Sequence, residues 1–449
     1  MSSSRRPGLT AQLKEKLIQH GIERRLQHAN PSPAPMHPMH ESAHADIPEK
    51  YSRFDLHPGY LQLRIIADGA AQLGIGSPFF KNHDGIAGGR TLIGGREYLN
   101  FSSYNYLGLS GHERISAAAK AAVDQYGTSV SASRAVSGER PLHRELETAI
   151  ARAYDVDAAV VFVSGHATNV TAIGHLFGPR DLILHDALIH NSTLQGVQLA
   201  GARRLPFPHN DWAALDALLT QERRKFERVL IVVEGIYSMD GDFPELPRFV
   251  DIKRRHKAFL MIDEAHSFGV MGATGLGIRE HYSLAGDAVD IWMGTLSKTL
   301  AGCGGYIAGT TALVEHLKFL APGFLYSVGM APPLAAASLA ALEYFRSDPS
   351  RVATLHARGA LFLRLAQEAG VDTGTSAGIS VIPAIVGSST RAARLSAALF
   401  DRGINVQPIL YPAVPEKLAR LRFFMSCEHS DEDIRTAVGT LAAELAAIS

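Results

Sequence analysis

Between residues 158 and 308 six short apolar runs recur, and each ends in a polar residue or a glycine. They cover 158–164, 181–185, 228–234, 259–263, 290–295 and 305–308, with helical stretches between them. A strand that is apolar along its whole length is covered on both faces, which predicts a mostly parallel sheet packed between helices. In such sheets ligands sit beyond the carboxyl ends of the strands. The polar residues of this chain concentrate there, so that is where its chemistry is expected.

Two of these ends carry complementary groups. The run 290–295 leads through Leu296 and Ser297 to Lys298, followed by Thr299 and the glycines Gly302, Gly304 and Gly305. The run 259–263 ends in Asp263-Glu264-Ala265-His266. A lysine beyond a strand is ordinarily a solvated surface residue. Paired with a carboxylate at another strand end, it meets the needs of pyridoxal phosphate (PLP). The lysine amine forms the Schiff base, and the aspartate keeps the pyridine nitrogen protonated so that the ring accepts electrons.

Other strand ends add weaker signals. Gly165-His166-Ala167-Thr168-Asn169 opens a helical pattern, and a glycine turn at a helix N-terminus presents free N–H groups to a phosphate. His190 could stack on a cofactor ring or simply bond backbone at a helix start. Ser238, in Glu234-Gly235-Ile236-Tyr237-Ser238, could bond the cofactor's phenolic oxygen or serve only the turn made by Asp240-Gly241-Asp242. His185, Asp186 and His190 can be drawn as metal ligands, but nothing completes the set, and no metal is expected. Arg420-Leu421-Arg422-Phe423 alternates so that both arginines point to one side of a strand, where one could clamp a carboxylate in a bidentate fork. Asp263-Glu264-Ala265-His266 also spells a helicase-type acidic box. The phosphate-binding Gly-x4-Gly-Lys-Ser/Thr segment that such an enzyme needs upstream is absent from the sequence.

The chain has 449 residues, with 44 lysines and arginines balanced by 44 aspartates and glutamates. Zero net charge and the lack of long basic runs argue against nucleic acid or an anionic membrane as partner. Two cysteines, Cys303 and Cys427, make no disulfide framework, and a cytoplasmic setting is expected. The apolar stretch 330–345 is short for a membrane span and reads as a buried alanine-rich helix. Beyond it, 379–386 and 404–409 read as strands of a small C-terminal domain. Residues 10–29 place Leu13, Leu17, Ile22 and Leu26 on one helical face, and prolines from Pro31 to Pro48 give 30–48 a linker composition. The expected organisation is therefore a helix and linker over 1–48, an arm over 49–95, a large domain over 96–330 and a small one over 331–449.

From about residue 96 onward the chain resembles the α-oxoamine synthases, PLP-dependent acyltransferases of fold-type I. The resemblance rests on Asn100-Phe101-Ser102-Ser103-Tyr104-Asn105-Tyr106-Leu107-Gly108 and on Ser133-Arg134-Ala135-Val136-Ser137-Gly138 followed by His143 and Glu145. It continues through Glu234 to Gly241, Asp263 to His266, Gly294-Thr295-Leu296-Ser297-Lys298 and Arg420-Leu421-Arg422. It implies an α/β fold: a large domain with a mostly parallel seven-stranded sheet, plus a small C-terminal α+β domain. It also implies the roles. Lys298 carries the cofactor, Asp263 pairs with the pyridine nitrogen and His190 stacks on the ring. Ser238 and His266 bond the phenolic oxygen, while Gly165, His166 and Thr295 form the phosphate pocket. Asn105 and Arg422 face the amino acid, Arg422 holding its carboxylate. The implied reaction is a decarboxylative condensation of an amino acid with an acyl thioester in a homodimer with shared sites.

Some positions depart from the family pattern. Tyr326-Ser327 is followed by Val328-Gly329, so only Ser327 offers a hydroxyl to a neighbouring subunit's phosphate site. Ala413 stands where the biotin-pathway members carry a threonine. Ser129-Val130-Ser131-Ala132-Ser133 is similar to members associated with polyketide synthases, which take acyl groups from a carrier protein. The donor is therefore expected to be coenzyme A or an acyl carrier protein. An aminotransferase of the same fold, and a non-catalytic partner subunit, are the competing readings; retention of Lys298 speaks against the second.

Overall fold

The computed structural model describes residues 47–72, 74 and 76–448. The expected helix over 10–29, and all but the end of the linker, lie outside these residues. The chain divides into two units, 1–81 and 82–449. In the first, the described part holds the helix Pro58–Gln72, with Arg64 donating to Asp68 one turn on at 2.7 Å.

The second unit carries thirteen strands. They are β1 (Arg90–Ile93), β2 (Arg96–Asn100), β3 (Ala158–Phe162), β4 (Leu182–Asp186), β5 (Arg203–Phe207), β6 (Val229–Glu234), β7 (Phe259–Asp263), β8 (Ile291–Thr295), β9 (Gly305–Gly309), β10 (Val381–Ile385), β11 (Ile404–Asn405), β12 (Gln407–Ile409) and β13 (Arg420–Phe424). Seven of them form one sheet in the order β3-β9-β8-β7-β6-β4-β5. Strand β9 runs antiparallel to β3 and β8, and the other pairs in this sheet are parallel.

The continuous apolar runs have the cause anticipated for them. Val160, Ile183, Leu230, Val232, Met261 and Met293 join one core cluster. Their alternating neighbours Val161, Leu184, Ile231, Val233, Ile262 and Trp292 join the other. Both faces are therefore dry, and each fully buried side chain of this size contributes about 1.5–3 kcal/mol. The helix Gly165–Leu176 lies directly on the sheet, while Pro332–Ser347 packs outside the helix Pro141–Tyr154, which covers β3 and β9. Pro332–Ser347 is the alanine-rich helix expected near 330–345, with Ala335, Ala337, Ala341, Leu342 and Phe345 buried. No helix of the described residues is long and apolar enough to cross a membrane.

Two expectations about strands need correction. The seventh strand, β5, has the sequence Arg-Arg-Leu-Pro-Phe and no apolar run, because it lies at one edge of the sheet and, unlike the covered edge strand β3, mostly faces solvent. The run 404–409 is two strands rather than one. β11 pairs parallel with β2, whereas β12 pairs antiparallel with β13, so the chain changes sheet at Val406. The C-terminal domain keeps the three-stranded sheet β10-β13-β12, and β13 carries both arginines of interest.

Candidate active site

Beyond β8 the chain folds back on itself. Leu296 N donates to Gly304 O (2.9 Å), Gly302 N to Leu296 O (2.9 Å) and Ala301 N to Lys298 O (3.0 Å). Thr295 Oγ1 donates to Gly304 O and accepts from Ser297 N. This closed turn holds Lys298 at the sheet's edge of solvent, half-buried, with Nζ 5.3 Å from the centroid of the Tyr104 ring. Burial pulls the amine's pKa down to about 7; Asp263 and Glu234 oppose that shift and Arg422 reinforces it. Lys298 borders a 310 Å³ cavity that Ser103, Tyr104, Asn105 and Ser297 also line.

Asp263 ends β7 and is 4% exposed. Its Oδ1 accepts from Ala265 N (3.0 Å) and its Oδ2 from Asn169 Nδ2 (2.8 Å). Asn169 Nδ2 also donates to Ser192 Oγ (2.9 Å), which lies 2.7 Å from His190 Nδ1. Because Ser192 Oγ accepts from Asn169, its own proton is free for His190 Nδ1. That nitrogen also accepts from Ser192 N at 3.3 Å. The ring proton of a neutral His190 is thereby placed on Nε2. Burial lowers the His190 pKa, partly offset by Asp263. His190 is both the N-cap of the helix Asn191–Ala200 and a site residue, so the two readings of it coexist. Its backbone N–H donates to Glu234 Oε1 (2.7 Å), and burial followed by the nearby Asp263 charge pushes the Glu234 carboxyl well above its usual range.

His266 is tied by Nδ1 to the Tyr106 hydroxyl at 2.7 Å, and burial holds its pKa well below the ordinary histidine value. It is thus a neutral ring with Nε2 left over. Arg422 reaches across from β13. It donates to Ser238 O (3.0 Å) and lies 4.6 Å from the centroid of the Phe424 ring. Its Nε is buried without an acceptor among the described residues, and burial lowers its pKa. Asn105 spends its amide on a turn, accepting from Ser110 N (3.0 Å) while presenting one face to the cavity.

The helix Gly165–Leu176 begins at the end of β3, capped by Ser164 Oγ, which accepts from Ala167 N. A Cβ on Gly165 would lie 2.9 Å from Thr295 Oγ1, so glycine lets two strand ends approach closely. The first N–H groups of a helix lack intrahelical partners, and Gly165 and His166 open this one. His166 is exposed, its ring 6.5 Å from that of His190. Ser327 is elsewhere: it lines a second concavity with Arg134, Phe324 and Met330. Within one chain, then, the structure brings together all the expected residues but Ser327.

Four contributors were not singled out from sequence. Asn169 stood at the end of the glycine-turn segment, a polar residue on a buried helix face. Ser192 followed His190 by two positions. Glu234 looked like a strand terminus only. Tyr104, inside a motif of the resemblance, puts its ring under Lys298 Nζ and packs against Phe424. The donor set fits PLP: an amine of lowered basicity, a carboxylate fixed at both oxygens, two neutral imidazoles and a helix N-terminus opened by a glycine.

Residues 96–441 match the family of class I and class II aminotransferases. The 8-amino-7-oxononanoate synthase of Geobacter sulfurreducens is 41% identical over 80% of this chain and 91% of its own length. That of Fervidobacterium nodosum is 38% identical over 77% of this chain and 88% of its own. The solved serine palmitoyltransferase of Sphingomonas wittichii superposes with a TM-score of 0.81 at 27% identity. It covers 86% of this chain and 97% of that one.

Proposed function

The chain belongs to the class I and II aminotransferase family, within its α-oxoamine synthases, and from that premise we propose a decarboxylative condensation of a small α-amino acid with an acyl thioester. A C–C bond forms between the α-carbon and the acyl carbonyl, the C–S bond breaks, and CO2 leaves. One proton is taken up, and the products are an α-amino ketone and a free thiol. The observation that carries the reading is the buried Lys298 amine over the Tyr104 ring, with Asp263 and the incompletely satisfied Arg422 both near enough to act on its charge.

Lys298 would hold PLP covalently, with Asp263 at the ring nitrogen, His190 against the ring face, and Ser238 and His266 at the phenolic oxygen. Gly165, His166 and Thr295 would take the phosphate. Ser327, in its separate concavity, would serve the site of a second copy, and the exposed Phe319, Leu320, Tyr326 and Val328 near it in sequence favour such a dimer. Bound PLP supplies a sink for the electron pair left at the α-carbon. Once the amino acid's amine has displaced it from the cofactor, Lys298 Nζ, whose pKa burial lowers to about 7, would be substantially neutral at neutral pH and free to take the α-proton. Arg422 Nε and its neighbouring N–H groups grip the amino acid's carboxylate, and Asn105 borders the same space. The cavity wall of Ser103, Tyr104 and Ser297 orients the incoming acyl group.

Incubation with an amino acid and an acyl thioester should release CO2 and free thiol together. An aminotransferase would give a keto acid and no thiol, and a non-catalytic subunit neither. For the donor, Lys14, Lys16, Arg24 and Arg25 favour an acidic carrier protein over free coenzyme A. Deleting residues 1–48 should raise KM for a carrier-bound donor and leave the coenzyme A reaction alone. Equal loss with both donors would refute the carrier role.

A further inference from the structure

Arg420 and Arg422 leave the same face of β13, as the two-residue strand period requires, yet they end differently. Arg420 is 3% exposed and fully engaged: it donates to Asp240 Oδ1 (2.6 Å), Met239 O (3.1 Å) and Leu418 O (2.9 Å). Arg422 touches the same loop only once through oxygen, at Ser238 O, and keeps Nε without an acceptor. Arg420 is therefore no candidate for the substrate carboxylate, because its guanidinium already has one.

The loop that receives both arginines is held from every side. Glu234 Oε2 accepts from Ser238 N, and Gly241 N donates to Tyr237 O (2.8 Å). Asp242 accepts from His209 Nε2 (3.0 Å) and from Thr375 Oγ1 (2.7 Å). Gly241 has φ +74°, and a Cβ there would sit 2.0 Å from Val381 O, so the loop lies directly against β10. Since β10 pairs with β13, loop and arginine strand share one frame. The Asp240–Arg420 pair is the only ion pair across this junction among the described residues. A nearly buried ion pair is costly to desolvate, and its best-attested use is to specify one geometry.

We propose that Asp240, acting through Arg420, is a positioning residue for Arg422: the pair fixes the register of β13 on the loop and so sets affinity for the amino acid's carboxylate. The inference rests on the carboxylate role given to Arg422 above.

The test is an equilibrium titration of holoenzyme with the amino acid, followed by absorbance and by calorimetry, alongside steady-state kinetics and thermal melting. Asp240→Asn keeps the shape and removes the charge. It should raise Kd and KM for the amino acid by roughly tenfold. It should leave kcat at saturation within about twofold and cofactor content unchanged, since it touches no reacting atom. A merely structural role would instead lower Tm, cofactor content and kcat together. Unchanged Kd, or a fall in kcat without a rise in KM, overturns the proposal. Should Asp240→Asn not fold, Arg420→Lys is judged by the same criteria, because it keeps the charge but cannot bond Asp240 and Met239 at once. Arg422→Lys separates the two claims. If it weakens binding while Asp240→Asn and Arg420→Lys do not, the positioning role fails and the clamp stands. If it leaves binding unchanged, the clamp reading fails and the positioning role with it.

Discussion

The two walls of the site are built on opposite plans. On the large sheet, at the ends of β4, β6 and β7, the reactive groups are bonded to one another: Asp263 to Asn169, Asn169 to Ser192, Ser192 to His190, and His190 N–H to Glu234. On β13 of the small domain, Arg422 keeps an unsatisfied Nε and meets the large domain through Ser238 O and Met239 Sδ. A carboxylate and an imidazole held by short bonds suit a group that stays, because the same geometry is needed through every step. A buried donor without an acceptor suits a ligand that comes and goes, because each arrival removes the cost of the unmade bond. Under the proposed roles the contrast divides cofactor residues from substrate residues, and substitutions on each wall should therefore fail in different ways.

The largest effect belongs to Lys298. Lys298→Ala should lower turnover by roughly 10^3-fold or more and abolish cofactor trapped by borohydride. Trapping at another lysine would break the comparison at its root. The pH dependence sharpens the same point. The folded amine titrates at about 7, against an ordinary value of 10.5. Covalent capture of PLP by the cofactor-free protein should then accelerate through a midpoint near 7. For stability the sign follows from linkage: the unfolded chain binds more protons between these two values, so stability rises with pH across that window. The penalty from Lys298 is full below about pH 7 and fades toward 10.5. Lys298→Met should accordingly raise the Tm of cofactor-free protein most at low pH, with the gain shrinking as pH rises. A pH-independent gain would show that the amine is solvated.

Next come the two charged partners. Asp263→Asn should still bind cofactor yet lose roughly 10^2-fold or more in turnover, since it removes the charge and keeps the shape. Arg422→Lys should do the reverse, weakening amino-acid binding by roughly tenfold or more while cofactor stays bound. If Asp263→Asn changes mainly amino-acid affinity, or Arg422→Lys mainly cofactor content, the division between walls is wrong.

What could be read before the structure follows the same division. Six strands of the large sheet, the edge strand β3 among them, announce themselves because burial on both faces forces a continuous apolar run. Their polar termini then mark Asp263 and Lys298. The edge strand β5, with Arg203, Arg204 and Pro206, leaves no such trace, and 404–409 hides a change of sheet inside one apolar run. Lys298, Asp263, His190 and His266 were visible because they sit in local motifs. Asn169 and Glu234 were passed over, and Arg420 was not separable from Arg422, since what distinguishes them is a partner distant in sequence: Asp263 for Asn169, Asp240 for Arg420. Ser327 was placed by resemblance alone, and it lines a concavity other than the one Lys298 borders.

The smallest expected effect tests the bonded wall most finely. Asn169 touches no reacting atom, yet one Nδ2 serves both Ser192 Oγ and Asp263 Oδ2. Asn169→Ala deletes both bonds. Asp263 keeps only Ala265 N as donor, so its charge is less well held and the ring nitrogen it serves is less firmly protonated. Ser192 Oγ, released from Asn169, can turn its proton away from His190 Nδ1, and the imidazole loses its single tautomer. Each lost bond is worth about 1 kcal/mol. Turnover should therefore fall by roughly three- to tenfold, with a matching rise in cofactor dissociation. Amino-acid affinity should not move, because Arg422 lies on the other wall. Ser192→Ala splits the effect: it keeps the Asn169–Asp263 bond and disturbs only His190, so cofactor dissociation should change less than in Asn169→Ala. Nuclear magnetic resonance of the His190 ring nitrogens reads the tautomer directly, with the proton on Nε2 in the native protein and a mixture in both variants. A single unchanged tautomer in Asn169→Ala, with unaltered cofactor release, would show that the hydrogen-bonded chain is an accident of packing and not what holds the cofactor wall in place.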